Sequence, residues 1–160
     1  MGRCLNLTKA GEYAIAALSR LALQTGSAAV SAKTLAAEQK IPPSFLAKIL
    51  SQCAKAGLIS SRKGRDGGIA LGRPADEITL LSIIEACEGP YSRTDCVFYA
   101  ARPCDGPSCE VYCSLREQEE GVRTGLGSIT LAAMAEALSR HPNLKAGNVM
   151  EVVDGTSGRR

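Results

Sequence analysis

Histidine is nearly absent from this 160-residue chain: there is one, His141. No imidazole therefore stands near the cysteines to act as a base, and no nucleophile–base–orienter set is apparent, so a catalyst is not expected. Long apolar runs are missing too. None approaches the roughly 20 residues that span a bilayer. Lys9 and Glu12 interrupt the N-terminal segment early, which argues against a secretory leader and gives a cytoplasmic location as the expectation. Thiols stay reduced there, so the seven cysteines point to metal or redox chemistry rather than to a disulfide scaffold. Acidic residues are scarce in the first 75 positions, which hold 3 Asp/Glu against 11 Lys/Arg, whereas residues 76–160 hold 13 against 8. A basic front half is the footprint of a phosphate partner, and an acidic rear half repels the same backbone. Charge alone fits a solvated surface equally well, so the pattern of residues has to decide.

A hydrophobic content of 45% and a charged content of 22% suit one modest folded domain with an appended arm. Thr8 is placed to cap a helix running to about residue 24, with Ala14, Ala17, Leu18 and Leu21 on one face. Ser31 can cap a short second helix through Leu35, Ala36 and Glu38. Pro42-Pro43 ends that segment and opens a third, over residues 43–56, which Gly57 stops. This third helix is two-sided. Leu46, Ile49, Leu50 and Cys53 follow core spacing, while Ser44, Ala47, Lys48, Ser51 and Lys55 form a small, polar, basic face that suits a major groove. Burial is the simplest role for Cys53.

Residues 58–62 and 69–71 read as two short strands around a turn of three glycines and three charged residues, Lys63-Gly64-Arg65-Asp66-Gly67-Gly68. Basic residues on such a tip suit a narrow minor groove. Two short helices, a basic-faced third and a basic hairpin together make a winged helix-turn-helix pattern. Thr79 caps a fourth helix with the stripe Leu80, Ile83, Ile84 and Cys87, stopped by Gly89-Pro90. A long helix is expected over residues 114–140. Its Leu115, Val122, Leu126, Ile129 and Ala133 suit a seam between helices, and its Gly121, Gly125 and Gly127 either weaken it or admit a partner helix closely. The polar stretch 141–160 reads as a disordered tail.

Cys96, Cys104, Cys109 and Cys113 crowd one short acidic stretch between these parts. Four thiolates in one loop suit an iron–sulfur cluster of two or four irons. Zinc is a rival, because Cys109-x3-Cys113 fits a half-site, but Cys96-x7-Cys104 is long for the usual paired-cysteine geometry. Thiol sensing without metal is a third possibility, and a zinc-stabilised module whose basic surface meets nucleic acid or an acidic partner is a fourth.

The run from Gly57-Leu58-Ile59 through Arg65-Asp66-Gly67-Gly68-Ile69-Ala70-Leu71-Gly72-Arg73-Pro74 to Ile78-Thr79-Leu80 resembles the wing and following helix of the Rrf2 family of bacterial repressors. Leu7-Thr8-Lys9-Ala10-Gly11-Glu12-Tyr13-Ala14 is similar to the family's first helix. Ser44-Phe45-Leu46 is similar to the start of its recognition helix, and Ser128-Ile129-Thr130-Leu131 to a run in its dimerisation helix. The likeness covers roughly residues 5–139. It implies a mainly α fold with a small β-hairpin wing, a winged helix-turn-helix at 1–89, a cysteine loop at 90–113 and a dimerisation helix at 114–140. It implies a homodimer on palindromic double-stranded DNA. With the two-sided third helix, it gives contacts at Ser44, Lys48, Ser51, Arg62, Lys63, Gly64, Arg65, Gly67 and Gly68. Some members carry a glutamate where this chain has Ala47, so base preference is expected to differ. In the cluster-binding branch, Cys96 and Cys113 match the first and last loop cysteines, and Cys104 matches the middle one by spacing, with Cys109 its competitor. The histidine that some members place after the last cysteine is missing. Glu12, where some relatives supply a carboxylate from the opposite subunit, and Cys109 are the candidates for a fourth ligand.

Overall fold

The side-chain oxygen of Thr8 accepts from the Gly11 amide at 3.3 Å and opens α1 (Lys9–Ala22), as its sequence position foretells. The computed structural model describes residues 7–24, 29–62, 67–91 and 109–140. Ala14, Ala17, Leu18 and Leu21 form the buried face of α1, and the alanines let neighbouring helices approach closely. Ser31 caps α2 (Ala32–Glu38) through the Thr34 amide at 3.0 Å. Arg20 of α1 meets Glu38 of α2 with Nε at 2.8 Å and Nη2 at 3.3 Å, a two-pronged contact that fixes the crossing of the two helices.

Pro42 leads into α3 (Pro43–Lys55), whose first-turn proline leaves no amide wanting a partner. The helix ends in a left-handed cap. Gly57 has φ +70°, its amide bonds to the Ala54 carbonyl at 3.0 Å, and the Leu58 amide bonds to the Cys53 carbonyl at 2.9 Å. That reversal delivers the chain directly into β1 (Ile59–Arg62), paired antiparallel with β2 (Gly68–Leu71) in the register Ile59↔Leu71 and Arg62↔Gly68. Val30, just before α2, exchanges two backbone bonds with Ile69, at 2.9 and 2.8 Å. The hairpin is thus anchored on the helix-turn-helix rather than left projecting on its own. Gly68 is required for that anchoring: a Cβ there would stand 2.9 Å from both the Ala29 Cβ and the Val30 carbonyl oxygen.

Thr79 and Ser82 form a reciprocal capping box at the start of α4 (Leu80–Glu88). At its other end, Glu88 accepts from both the amide and the hydroxyl of Thr8 at 2.9 Å, tying the end of α4 to the start of α1. Leu18, Leu35, Leu46, Ile49, Leu58, Ile78, Ile83 and Leu131 fill the single core these elements share.

The expected helix over 114–140 is two helices, α5 (Glu110–Ser128) and α6 (Leu131–Arg140). Ile129 is extended, with φ −87° and ψ 112°, and the bridge Thr79↔Thr130 explains the break. Leu80 donates to the Ile129 carbonyl at 2.8 Å and Leu131 to the Ile78 carbonyl at 2.7 Å, so backbone groups that a continuous helix would pair internally are held by the entry to α4. Helix α6 then folds back against α1 and buries Leu131 and Ala135. Helix α5 also begins four residues earlier than expected, so Cys113 lies inside its first turn and not ahead of it. Residues 92–108 and the expected tail at 141–160 lie outside the described residues. Among the described residues, no helix is long and apolar enough to cross a membrane.

Candidate nucleic-acid interface

Helix α3 separates its two faces as its sequence predicts. Leu46, Ile49, Leu50 and Cys53 are buried, and Ser44, Ala47, Lys48, Ser51 and Lys55 are exposed. No acidic residue occurs in the helix, so the exposed strip is uniformly neutral or positive. Its start is pinned from behind, where Phe45 meets Tyr13 of α1 edge to face, with ring centroids 5.7 Å apart. The exposed strip therefore sits on a rigid support, and its short hydroxyls and flexible lysines allow close approach to a phosphate-lined groove.

Of the hairpin residues picked out in the sequence, Arg62 is exposed at the end of β1, opposite Gly68. Gly67 is half-buried, and Gly68 carries the packing requirement given above. Lys63, Gly64 and Arg65 lie outside the described residues. Ser44, Lys48 and Ser51 thus share one face of α3, and Arg62 stands on the strand that α3 leads into.

At the cysteine stretch, Cys109 is the N-cap of α5 and Cys113 follows one turn later, its amide bonded to the Cys109 carbonyl at 2.9 Å. Cys109 is half-buried and Cys113 exposed. Among the described residues no three His, Cys, Asp or Glu side chains gather into a metal-sized group, and Cys96 and Cys104 lie outside those residues. Glu12 forms an ion pair with Lys9 at 2.9 Å on α1. The described donors, two sulfurs one turn apart, are of the kind that both iron–sulfur clusters and zinc take.

Helix α5 is joined to the winged-helix body. Arg123 of α5 reaches Glu85 of α4 at 3.3 Å and the Tyr91 carbonyl at 3.4 Å, and the Tyr91 amide bonds to Glu85 at 3.2 Å. The chain leaving α4 and the helix that follows the cysteines are therefore clamped together. Val111, Leu115 and Val122 on α5, and Ile129 just beyond its end, remain 39–44% exposed. Leu126, expected on the same seam, is instead buried within the chain, and Ala133 falls on α6. Added Cβ atoms at Gly121 and Gly125 would meet nothing within 4 Å, so the surface there is open.

Reading along the sequence missed one pairing. Cys53 of α3 and Cys87 of α4 each lie on an apolar stripe, and each stripe is legible, but their mutual contact is not. The proton of Cys53, held towards the Cys87 sulfur and shut away from water, raises that thiol's pKa far above the ordinary range. The same hydrogen bond lowers the pKa of Cys87, against its partial desolvation and the nearby Glu88 charge.

A helix-turn-helix with a basic reading face, followed by a hairpin braced against it, defines a winged-helix DNA-binding protein. The chain belongs to the Rrf2 family, whose model, described as an iron-dependent transcriptional regulator, matches residues 7–137. It is a transcriptional regulator and not an enzyme. The HTH-type transcriptional regulator IscR of Xenorhabdus nematophila is 31% identical over 133 residues, covering 82% of this chain and 80% of the relative. Among solved structures, CymR, the global cysteine regulator of B. subtilis, is similar with a TM-score of 0.70 and 28% identity, covering 83% of this chain and 98% of that one. IscR of T. potens is similar with a TM-score of 0.66 and 27% identity, covering 88% and 92%.

Proposed function

We propose that the chain is a homodimeric, cytoplasmic repressor whose affinity for a palindromic operator is set by an iron–sulfur cluster at its cysteine stretch. The observation that carries this reading is the pair Cys109 and Cys113 at the N-terminus of α5, a helix that Arg123 ties to α4 and that carries an exposed apolar strip, Val111, Leu115 and Val122. Likeness to two IscR proteins supports the cluster. Cys96, Cys104 and Cys113 would hold it, with Cys109 or Glu12 as alternative or fourth ligand. The short Cys109–Cys113 spacing strengthens the claim of Cys109. When bound, the cluster supplies a centre sensitive to iron supply, oxidation or nitric oxide.

The chain's own residues do the remainder. Ser44, Lys48 and Ser51 meet the major groove, while Arg62, Lys63, Gly64, Arg65, Gly67 and Gly68 approach the backbone and minor groove. Val111, Leu115, Val122 and Ile129 join two protomers, with Gly121 and Gly125 allowing close approach of the partner helix. Reading heads on a palindrome stand about 34–36 Å apart, so a small tilt of α5, passed through Arg123 and Glu85, moves them out of register.

Anaerobic reconstitution, followed by absorption spectroscopy and iron, sulfide and zinc analysis, tests the cluster. A coloured protein carrying iron and sulfide supports it, and a colourless, iron-free protein overturns it. Likeness to CymR, titled a global cysteine regulator, favours a second reading in which the thiols sense oxidation without metal, and zinc alone in the analysis would favour a zinc-stabilised module.

A further inference from the structure

Outside the cysteine stretch, the protein holds a second pair of sulfurs at a place where movement would matter. Cys53 is fully buried on the inner face of α3, and Cys87 lies half-exposed near the end of α4. The two helices pack directly, and the Gln52 side chain, next to Cys53, donates to the Cys87 carbonyl at 3.4 Å. The outer face of the same α3 carries Ser44, Lys48 and Ser51.

We propose that Cys53 and Cys87 form a reversible disulfide on exposure to a hydroperoxide, and that this bond draws the reading helix inward and weakens DNA binding independently of the cysteines at 96–113.

The roles of the two sulfurs differ by position. Cys87 is reached by solvent, and its lowered pKa makes it the thiolate that attacks first. Its sulfur takes one oxygen of the hydroperoxide, the O–O bond breaks, and the other oxygen leaves as water or an alcohol after taking a proton. The product is a sulfenic acid at Cys87. The Cys53 sulfur then attacks the Cys87 sulfur, the S–O bond breaks, and hydroxide leaves with the Cys53 proton as water. Two thiols are oxidised by two electrons in all, and one peroxide is reduced. The hydrogen bond that holds the proton on Cys53 depends on a sulfur anion at Cys87, so the first step removes the chief barrier to the second.

The geometric consequence follows from bond length. Thiols in contact are separated by about 3.5–4 Å, whereas a disulfide closes to about 2.05 Å. Closing that gap draws α3 towards α4 by up to roughly 1.5 Å, a movement that dense core packing transmits across the helix to its outer face. A shift of that size moves the exposed face of α3 out of hydrogen-bonding range of a groove, where donor–acceptor distances must stay within about 2.7–3.2 Å. This effect on affinity rests on α3 being the reading helix, as proposed above. Formation of the bond does not.

Trypsin separates the two sulfurs cleanly. Peptides 49–55 and 66–93 each contain one cysteine, Cys53 and Cys87, because Arg73 is followed by proline and is not cut. The full chain, reduced anaerobically, would be treated with hydrogen peroxide, its remaining thiols blocked, then digested and weighed. The expected result is a linked 49–55/66–93 species that dithiothreitol releases and that Cys87→Ser and Cys53→Ala abolish. Binding is read on a duplex enriched from a random library by the reduced protein. Oxidised protein should bind at least tenfold more weakly, with recovery on reduction, and Cys87→Ser should lose that component. Absence of the linked species under peroxide overturns the proposal. So does a linked protein that binds as tightly as the reduced one. If the reduced protein enriches no duplex, the DNA assignment of α3 fails, and the linked peptide still decides whether the disulfide exists.

Discussion

Replacing Gly68 by alanine tests how the hairpin is held. The added methyl would stand 2.9 Å from the Ala29 Cβ, 2.9 Å from the Val30 carbonyl oxygen and 3.0 Å from the Ala29 carbonyl carbon. These atoms belong to the backbone or attach directly to it, so none can rotate away. Relief requires β2 to separate from residues 29–30, which loosens the two Val30–Ile69 bonds at 2.9 and 2.8 Å. Two net backbone hydrogen bonds contribute about 2 kcal/mol together. If the strands hold instead, overpacking costs about 1–3 kcal/mol. Either route predicts a loss of about 2 kcal/mol, equivalent to roughly 4–8 °C in Tm for a domain of this size. Urea unfolding followed by circular dichroism gives the energy, and hydrogen exchange at the Val30 and Ile69 amides locates it. A loss under about 0.5 kcal/mol, with both amides still protected, would refute the packing argument. A stable variant that no longer binds DNA would show that Gly68 acts through its DNA contact and not through packing.

Gly57→Ala forces a side chain into the left-handed cap at φ +70° and should cost about 1–2 kcal/mol in thermal melting, without altering the cysteine chemistry. Lys48→Ala removes an exposed cation from the reading face. Its stability should change by less than about 0.5 kcal/mol, while the salt dependence of duplex binding should flatten by about 0.9 in log–log slope for each phosphate that is no longer neutralised. Val122→Asp places a charge in the exposed apolar strip of α5 and should shift sedimentation towards monomer while leaving helix content intact.

Local signals in the sequence carried far into the fold. Thr8, Ser31 and Thr79 cap the helices they were expected to cap, Pro43 opens α3, and Gly57 closes it, because each acts through its immediate neighbours. The two faces of α3 were equally legible, being set by helical period alone. The break at Ile129–Thr130 was not, since its cause is a bridge to Thr79, about fifty positions away. The glycines suggested weakness in the wrong place: α5 runs through Gly121 and Gly125 and ends only beyond Gly127. The early start of α5 escaped notice because Cys109 makes no side-chain cap hydrogen bond and is not a usual capping residue. Gly68 looked like turn chemistry, yet its requirement comes from the segment before α2. Cys53 and Cys87 followed their stripes correctly, but only packing reveals that the two stripes meet. Local chemistry was readable, and tertiary causes were not.

The most direct test of the regulatory account is to measure one duplex against one protein in two states. Anaerobically reconstituted protein and the same preparation after cluster removal, both kept reduced and both confirmed as dimers, would be titrated by fluorescence anisotropy at a fixed salt concentration. The account predicts affinities that differ at least tenfold, with Cys113→Ser locked at the cluster-free value. Equal affinities in the two states would contradict it.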